Sequence, residues 1–254
     1  MNEENLITYY NKFNEEKRLD TKHGQVEFLT AMKYINKYIK SNDKVVDIGA
    51  GTGKYSKTLS DLGYEVFAVE LVKHNLRQIE KKGIKCIQGN ATDLKKIKDN
   101  TYDITLLFGP MYHLISMKDK EKALSEAKRV TKKGGYIFIS YCMNEYAVIT
   151  HGFIDNNIKE SINNNLIDND YKITPNNNDL YSFVRLEDIN YLKDKLNLKR
   201  IKILSQDGPT EYIKKTINKM NDEEFNIYLN YHFSTCERKE LLGAGRHILD
   251  ILKK

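Results

Sequence analysis

The residues best suited to chemistry in this 254-residue chain are glycines crowded at the end of an apolar run and titratable side chains that follow other such runs. The stretch "VVDIGAGTGKYS" (45–56) sets Gly49, Gly51 and Gly53 at alternate positions after Asp47. Glycines so placed let a backbone turn sharply or come close to a ligand. A triphosphate grip needs G-x-x-x-x-G-K-[ST]. Gly53 and Lys54 supply its "GK", but Ile48 stands where the first glycine belongs and Tyr55 where the hydroxyl belongs. A dinucleotide loop needs G-x-G-x-x-G. Counted from Gly49 and Gly51, its third glycine position holds Lys54, which weakens that reading without removing it. The third possibility is a ligand with no phosphate, met by the pattern D-x-G-x-G-x-G.

The elements around this loop alternate short β-branched or aromatic runs with amphipathic segments, the pattern of a parallel sheet covered by helices on both faces. Strands are predicted at 44–49, 65–70, 84–89, 102–109 and 135–142, with helices near 54–62, 73–82 and 118–131. A first long helix is predicted over Thr21 to Lys40 from the stripe Val26, Phe28, Leu29, Met32, Ile35 and Ile39. "KKGG" (132–135) reads as a helix stop and turn. Composition changes after residue 144, and the asparagine-rich 155–179 reads as an inserted cap with a loop around Pro175, in which Ile158, Ile162, Leu166 and Ile167 share one helical face. A helix near 186–196, a strand at 199–206 and short helices over 209–242 follow, while periodicity leaves 246–253 open between helix and strand. The expected divisions are an N-terminal helical part (1–43), a core carrying the glycine loop (44–144), a cap (145–183) and a C-terminal part (184–254) that completes the sheet.

Composition narrows the classes. At 40% hydrophobic the chain can bury a sizeable core. No apolar run is long enough for a membrane span, and "MNEENLITYYNKFNEE" lacks the pattern of a signal peptide, so a soluble cytoplasmic protein is expected. Cys86, Cys142 and Cys236 are too far apart for a zinc site or disulfide framework and are expected as free thiols. The six histidines show no metal-ligand spacing, so no metal is expected. The formal charge of +6 raises the question of RNA, but the lysines lie among acidic residues, which favours a solvated surface.

The pattern Asp47, Gly49, Gly51, Gly53 resembles motif I of the class I S-adenosylmethionine-dependent methyltransferases. "YDITLLFGPMYHL" (102–114) resembles the "LGPLYHL" signature of a bacterial subgroup of them. The likeness continues in "EEKRL", "HGQVEF", "EAKRVTKKGGYIF" (126–138), "QDGPTEY" (206–212) and "LLGAGRHILDI" (241–251), so it spans nearly the whole chain. It implies a Rossmann-like α/β fold, mostly parallel with an antiparallel last strand, which favours a strand at 246–253. It also implies S-adenosylmethionine as cofactor and S-adenosylhomocysteine as product, and it makes the N-terminal helical part (1–43) a lid and 44–144 a cofactor-binding core.

That cofactor has a methionine tail and a ribose but no pyrophosphate, so the glycines serve backbone approach. On this resemblance Gly49, Ala50, Gly51 and Gly53 line the cofactor and Asp47 organises its ammonium side. Glu70, 21 residues beyond Gly49, accepts both ribose hydroxyls, with Leu71 beside it. Asn90 takes the place of an acid that contacts adenine, with Asp93 as a substitute and Ala91 adding backbone contacts. Phe108 lies against the cofactor.

Methyl transfer from a sulfonium is an in-line displacement in which proximity and alignment do much of the work. His113 is the candidate base for an acceptor hydroxyl, acidic C–H or protonated amine, with a structural role as the alternative. Tyr10, Arg18, Tyr112, His113, Tyr146 and Tyr181 are the expected substrate residues, Tyr9, Tyr10 and Arg18 forming a lid. The expected partner is a small-molecule acceptor, flat or partly apolar, bound by a monomer or homodimer. The rivals are an RNA methyltransferase, disfavoured because "FGPMYH" replaces the "NPPY"-type motif, and a cofactor-binding protein without catalysis.

Overall fold

The computed structural model describes residues 3–12, 15–176 and 178–254. Residues 1, 2, 13 and 14 of the expected lid and 177 of the expected cap lie outside the described residues. Three helices come first: α1 (Glu3–Lys12), α2 (Glu15–Asp20) and α3 (Lys22–Tyr38). α3 starts at Thr21, whose side chain accepts from the Gly24 amide. The predicted stripe is buried through Val26, Phe28, Met32 and Ile35.

The core follows as β1 (Lys44–Ile48), α4 (Lys54–Asp61), β2 (Glu65–Glu70), α5 (Lys73–Lys81), β3 (Lys85–Gln88), β4 (Tyr102–Leu107), α6 (Pro110–His113), α7 (Met117–Val130) and β5 (Thr131–Cys142). After β5 come α8 (Asn144–Ala147), a π-helical turn (Val148–Ile154) and α9 (Ile158–Asn163), in the stretch expected as a cap. The chain closes with α10 (Leu186–Lys195), β6 (Lys199–Ser205), α11 (Lys214–Ile217), α12 (Asp222–Thr235) and β7 (His247–Lys253).

The seven strands are ordered β3-β2-β1-β4-β5-β7-β6. β1 pairs parallel with both β2 and β4, whereas β7 pairs antiparallel with β5 and β6. Because successive strand residues face opposite sides, Val45 and Val46 enter different cores. On one face Val46, Ile48 and Leu107 meet Ala123 and Leu124 of α7 and Ile189 of α10. On the other, Val45, Ala68 and Ile104 meet Ile35 of α3, Leu59 of α4 and Ile79 of α5. Strand order reverses between β1 and β4, the place where open α/β sheets open a crevice at their carboxyl ends.

Three expectations need correction. β5 begins at Thr131 rather than 135, because the register jumps from Tyr102↔Thr131 to Ile104↔Tyr136 and "KKGG" forms a bulge, with Gly134 at φ +81°, inside the strand. The helix at 158–163 stops at Asn163, so Leu166 and Ile167 fall outside it and do not share its face with Ile158 and Ile162, and both Ile162 and Leu166 are exposed. Within 209–242, α12 runs for 14 residues, started by a capping box between Asn221 and Glu224. The strand favoured for 246–253 is β7, and the three cysteines are free thiols.

Candidate active site

The glycine loop is held by backbone and by a neighbouring carboxylate. The amides of Gly49 and Ala50 both donate to Val69 O, at 2.8 and 3.1 Å. Gly49, Gly51 and Gly53 have φ of +72°, +58° and +82°, a region closed to most side chains. A Cβ on Gly49 would come 2.5 Å from the Pro110 ring, and one on Gly53 would press Ile79 at 3.0 Å. A Cβ on Gly51 would meet no atom within 4 Å, so the space above Gly51 is open.

Glu70, at the carboxyl end of β2, is 5% exposed. One of its oxygens accepts from the Gly51 amide and the other from the Val72 amide, both at 2.8 Å. Burial pushes its pKa up to about 7, against the pull of these amides and of the buried Asn75 side chain. Gly49, Gly51, Glu70, Leu71, Asn90 and Ala91 all line one cleft with about 540 Å³ of empty space. Six of the ten expected cofactor residues therefore share one cleft.

The other four stand behind it. Asp47 is 2% exposed, and its carboxylate accepts the Ser56 hydroxyl at 2.7 Å. Burial pushes its pKa up to about 6, Ser56 pulling the other way, so Asp47 ties the loop to α4 instead of facing the cleft. Ala50 joins the turn through its backbone and packs its methyl group against the core under the loop, Gly53 caps α4, and Phe108 packs on Tyr55 with ring centres 4.8 Å apart. Asp93 bridges Asn90 in the backbone and pairs with exposed Lys95.

Residues that sequence reasoning missed complete the cleft: Leu6 of α1, Val72 and Asn75 beside Glu70, Gly89, and Leu114. Lys120 of α7 is a further omission, 1% exposed beneath α6. Its ammonium donates to Met111 O, to Leu114 O at 2.6 Å and to Ser182 Oγ at 2.6 Å, and burial lowers its pKa to about 7. Three acceptors match its three donors and fix the loop after β4. A lysine in an otherwise charged helix gives no sequence sign of this.

His113, 5% exposed, has both ring nitrogens engaged. Nδ1 lies 2.8 Å from Leu180 O, and Nε2 lies 2.7 Å from the Tyr10 hydroxyl. A carbonyl only accepts, so Nδ1 carries the proton and Nε2 accepts from Tyr10. Burial lowers the pKa to about 4, outweighing the Leu180 carbonyl, so the ring is neutral near pH 7. Tyr10 and His113 line the cleft together, and Tyr10 also lines a second cavity with about 1130 Å³ of empty space.

Arg18, Tyr112 and Tyr181 line this second cavity with Tyr9, Lys214, Arg246 and His247. Tyr146 is outside both, its ring 5.3 Å from Tyr212 and 5.9 Å from the Arg246 guanidinium. Behind the wall the fold gathers Glu27, Asp207 and His247, one ligand-type atom of each lying within 4.8 Å of the others. Spacing along the chain gave no sign of this cluster. Glu27 pairs with Arg18 at 2.8 Å and His247 Nδ1 donates to Asp207 at 2.7 Å, so the carboxylates already hold cations.

Residues 46–139 match the family described as "Methyltransferase domain". The chain is 36% identical over 105 residues to the demethylmenaquinone methyltransferase of Paenarthrobacter aurescens, covering 40% of each protein. It is 34% identical over 113 residues to the ubiquinone/menaquinone biosynthesis C-methyltransferase UbiE of an Enterobacter species, covering 40% of this chain and 43% of that one. The chain thus matches about two fifths of the length of these relatives. Among solved structures, one described as an S-adenosylmethionine-dependent methyltransferase and possible histamine N-methyltransferase from Thermotoga maritima superposes with TM-score 0.63 at 20% identity, over 97% of this chain and 98% of that one. A Methanosarcina mazei structure described only as an S-adenosylmethionine-dependent methyltransferase gives 0.59 at 14% identity, over 87% of this chain and 96% of that one.

Proposed function

We propose that this chain, whose residues 46–139 are a methyltransferase domain carried on the class I S-adenosylmethionine-dependent methyltransferase fold, transfers a methyl group to a small-molecule acceptor. The observation that carries the reading is the Glu70 carboxylate at the end of β2, buried beside the open space over Gly51. A carboxylate there accepts two ribose hydroxyls, and a glycine with nothing above it admits a ligand against the backbone. Asn90 and Ala91 bound the same cleft where an adenine would lie, and Asn90 Oδ1, Nδ2 or the local backbone can serve its edge.

S-adenosylmethionine bound here supplies an electrophilic methyl group on a sulfonium. The residues of this chain position the partners. Gly109 and Pro110 turn the backbone at the end of β4, and Lys120 locks that turn from below. Tyr10 lines both the cleft and the cavity, which supports a methyl donor in one and an acceptor in the other for in-line attack. His113, neutral and hydrogen-bonded on both sides, holds Tyr10 in place; its lowered pKa makes it a weak base.

The acceptor side includes Tyr181 and Arg246, outside residues 46–139. The relatives named for demethylmenaquinone and ubiquinone biosynthesis support a small-molecule acceptor, with an O, N or C nucleophile. Among the described residues no helix is long and apolar enough to cross a membrane.

Calorimetry with S-adenosylmethionine and S-adenosylhomocysteine tests the reading. Binding at micromolar to low-millimolar concentration is expected, and its absence refutes the cofactor assignment.

A further inference from the structure

The stretch "GAGRH" (243–247) enters β7 and carries two side chains that the methyl-donor site does not use. Arg246 and His247 both line the cavity beyond Tyr10. Arg246 has an ion pair with Glu211 at 3.4 Å and a cation–π contact with Tyr146, and its guanidinium forms no hydrogen bond with the described residues. A guanidinium has five N–H donors in a fork that fits a carboxylate or phosphate.

His247 is 2% exposed. Its amide donates to one oxygen of Asp207 and its Nδ1 to the other, at 3.0 and 2.7 Å, leaving Nε2 without a hydrogen-bond partner among the described residues. Burial opposes a charge on this ring, but Glu27 and Asp207 raise its pKa well above the usual value, so it is an imidazolium with a second N–H donor. Positive charge also exceeds negative around the cavity. The carboxylate of Glu211 is shared by Arg246 at 3.4 Å and by His23 and Lys214 at 3.7 Å each. Arg18 is paired behind the wall with Glu27.

Four tyrosines line the same cavity. Tyr112 and Tyr181 have ring centres 6.1 Å apart and tilt 38° to each other, Tyr112 also lies 5.9 Å from the His247 ring, and Tyr9 and Tyr10 join them from α1. Such a lining takes a flat molecule by stacking.

We propose that Arg246 and His247 are the anion-binding pair of the acceptor site, and that the acceptor is a planar small molecule bearing a carboxylate or phosphate group. Its anionic group sits on the two side chains and its plane lies against the tyrosines, with the nucleophile toward Tyr10. This assignment rests on the methyl-transfer reading for its meaning as an acceptor site, but anion binding by the pair is measured independently.

The experiment loads the protein with S-adenosylhomocysteine and titrates 2-naphthoate, 2-naphthyl phosphate and neutral 2-naphthamide by calorimetry. At least one anion is expected to bind about tenfold or more tightly than the amide, and which one does so separates carboxylate from phosphate. Arg246→Gln should abolish that preference while S-adenosylhomocysteine affinity stays within twofold of wild type. His247→Gln, where it folds, should weaken the same anion, and Arg246→Lys should restore part of the preference. Equal binding of anions and amide, no binding of either anion, or an unchanged preference in Arg246→Gln overturns the proposal. Loss of S-adenosylhomocysteine binding in the wild-type protein, with anion preference intact, overturns the methyltransferase reading instead.

Discussion

With Glu70 as the proposed ribose acceptor, cofactor affinity should depend on pH in a range where free carboxylates do not titrate. Its pKa is about 7 because burial outweighs the amides of Gly51 and Val72. Only the ionised form accepts hydrogen bonds at every lone pair, so ribose binding selects the carboxylate. For a site requiring deprotonation at pKa 7, apparent affinity falls by about tenfold between pH 8 and 6, and by about thirtyfold at pH 5.5. At pH 7 binding should release about half a proton, visible as a buffer-dependent heat. Asp47, with a pKa of about 6, adds to the slope only at the acid end.

The stability of the unliganded protein follows the opposite sign. A carboxyl whose folded pKa is raised from 4.5 to about 7 binds its proton more tightly when folded. Its favourable contribution is present below pH 4.5 and is lost as pH rises to 7, amounting to about 3 kcal/mol. Glu70→Gln isolates the effect. The amide offers only one oxygen to the two backbone N–H groups, and the variant should bind S-adenosylhomocysteine weaker by about 1.5–3 kcal/mol. It should also be flat between pH 8 and 6.5. Calorimetry in two buffers of different ionisation enthalpy measures both. A wild-type Kd constant within twofold from pH 8 to 6, or a variant that keeps the wild-type slope, refutes the reasoning.

Other perturbations separate binding from folding. Gly51→Ala faces open space and only the left-handed strain of about 1–2 kcal/mol, so it should remain folded by circular dichroism yet lose cofactor affinity more than tenfold. Gly49→Ala adds a collision with the rigid Pro110 ring and should cost about 2–5 kcal/mol in denaturant unfolding. Lys120→Met takes the side-chain donor from the Met111 carbonyl and leaves Leu114 O with Ser182 Oγ alone, and should destabilise by about 1–3 kcal/mol, raising the acceptor KM more than the cofactor Kd. His113→Gln should lower the single-turnover rate without altering its pH profile between 5.5 and 8, because the ring it replaces titrates near 4; a vanished limb in that range would restore the base role.

Cofactor-side features were legible where a short segment carries the whole device. Gly49, Gly51 and Glu70 sit at ends of adjacent strands, and strand order alone brings them together. The resemblance implies that Asp47 organises the ammonium side of the cofactor, and the local sequence does not say where its carboxylate points. Only the arrival of Ser56 on α4 shows that this carboxylate turns inward. His113 has the right position and the wrong environment, since nothing in "GPMYHL" tells that Tyr10 and Leu180 close over both nitrogens. Asn75 and Lys120 were invisible for the same reason: each looks like surface until a partner from another element covers it. The assembly of Glu27, Asp207 and His247 joins residues far apart in the chain, so no local spacing announces it.

β7 runs against its neighbours, and this direction decides what it delivers. A parallel strand presents its last residues to the crevice, but β7 presents its first, with His247 opposite Cys142 at the far end of β5. The turn into the final strand therefore reaches the crevice at the carboxyl ends of the parallel strands, although it belongs to a part of the chain remote from the glycine loop. On the proposed assignment, donor recognition and acceptor recognition are written in separate stretches of sequence that share one sheet. Substitutions around 243–247 should then retune the acceptor while leaving the half that carries the glycine loop untouched.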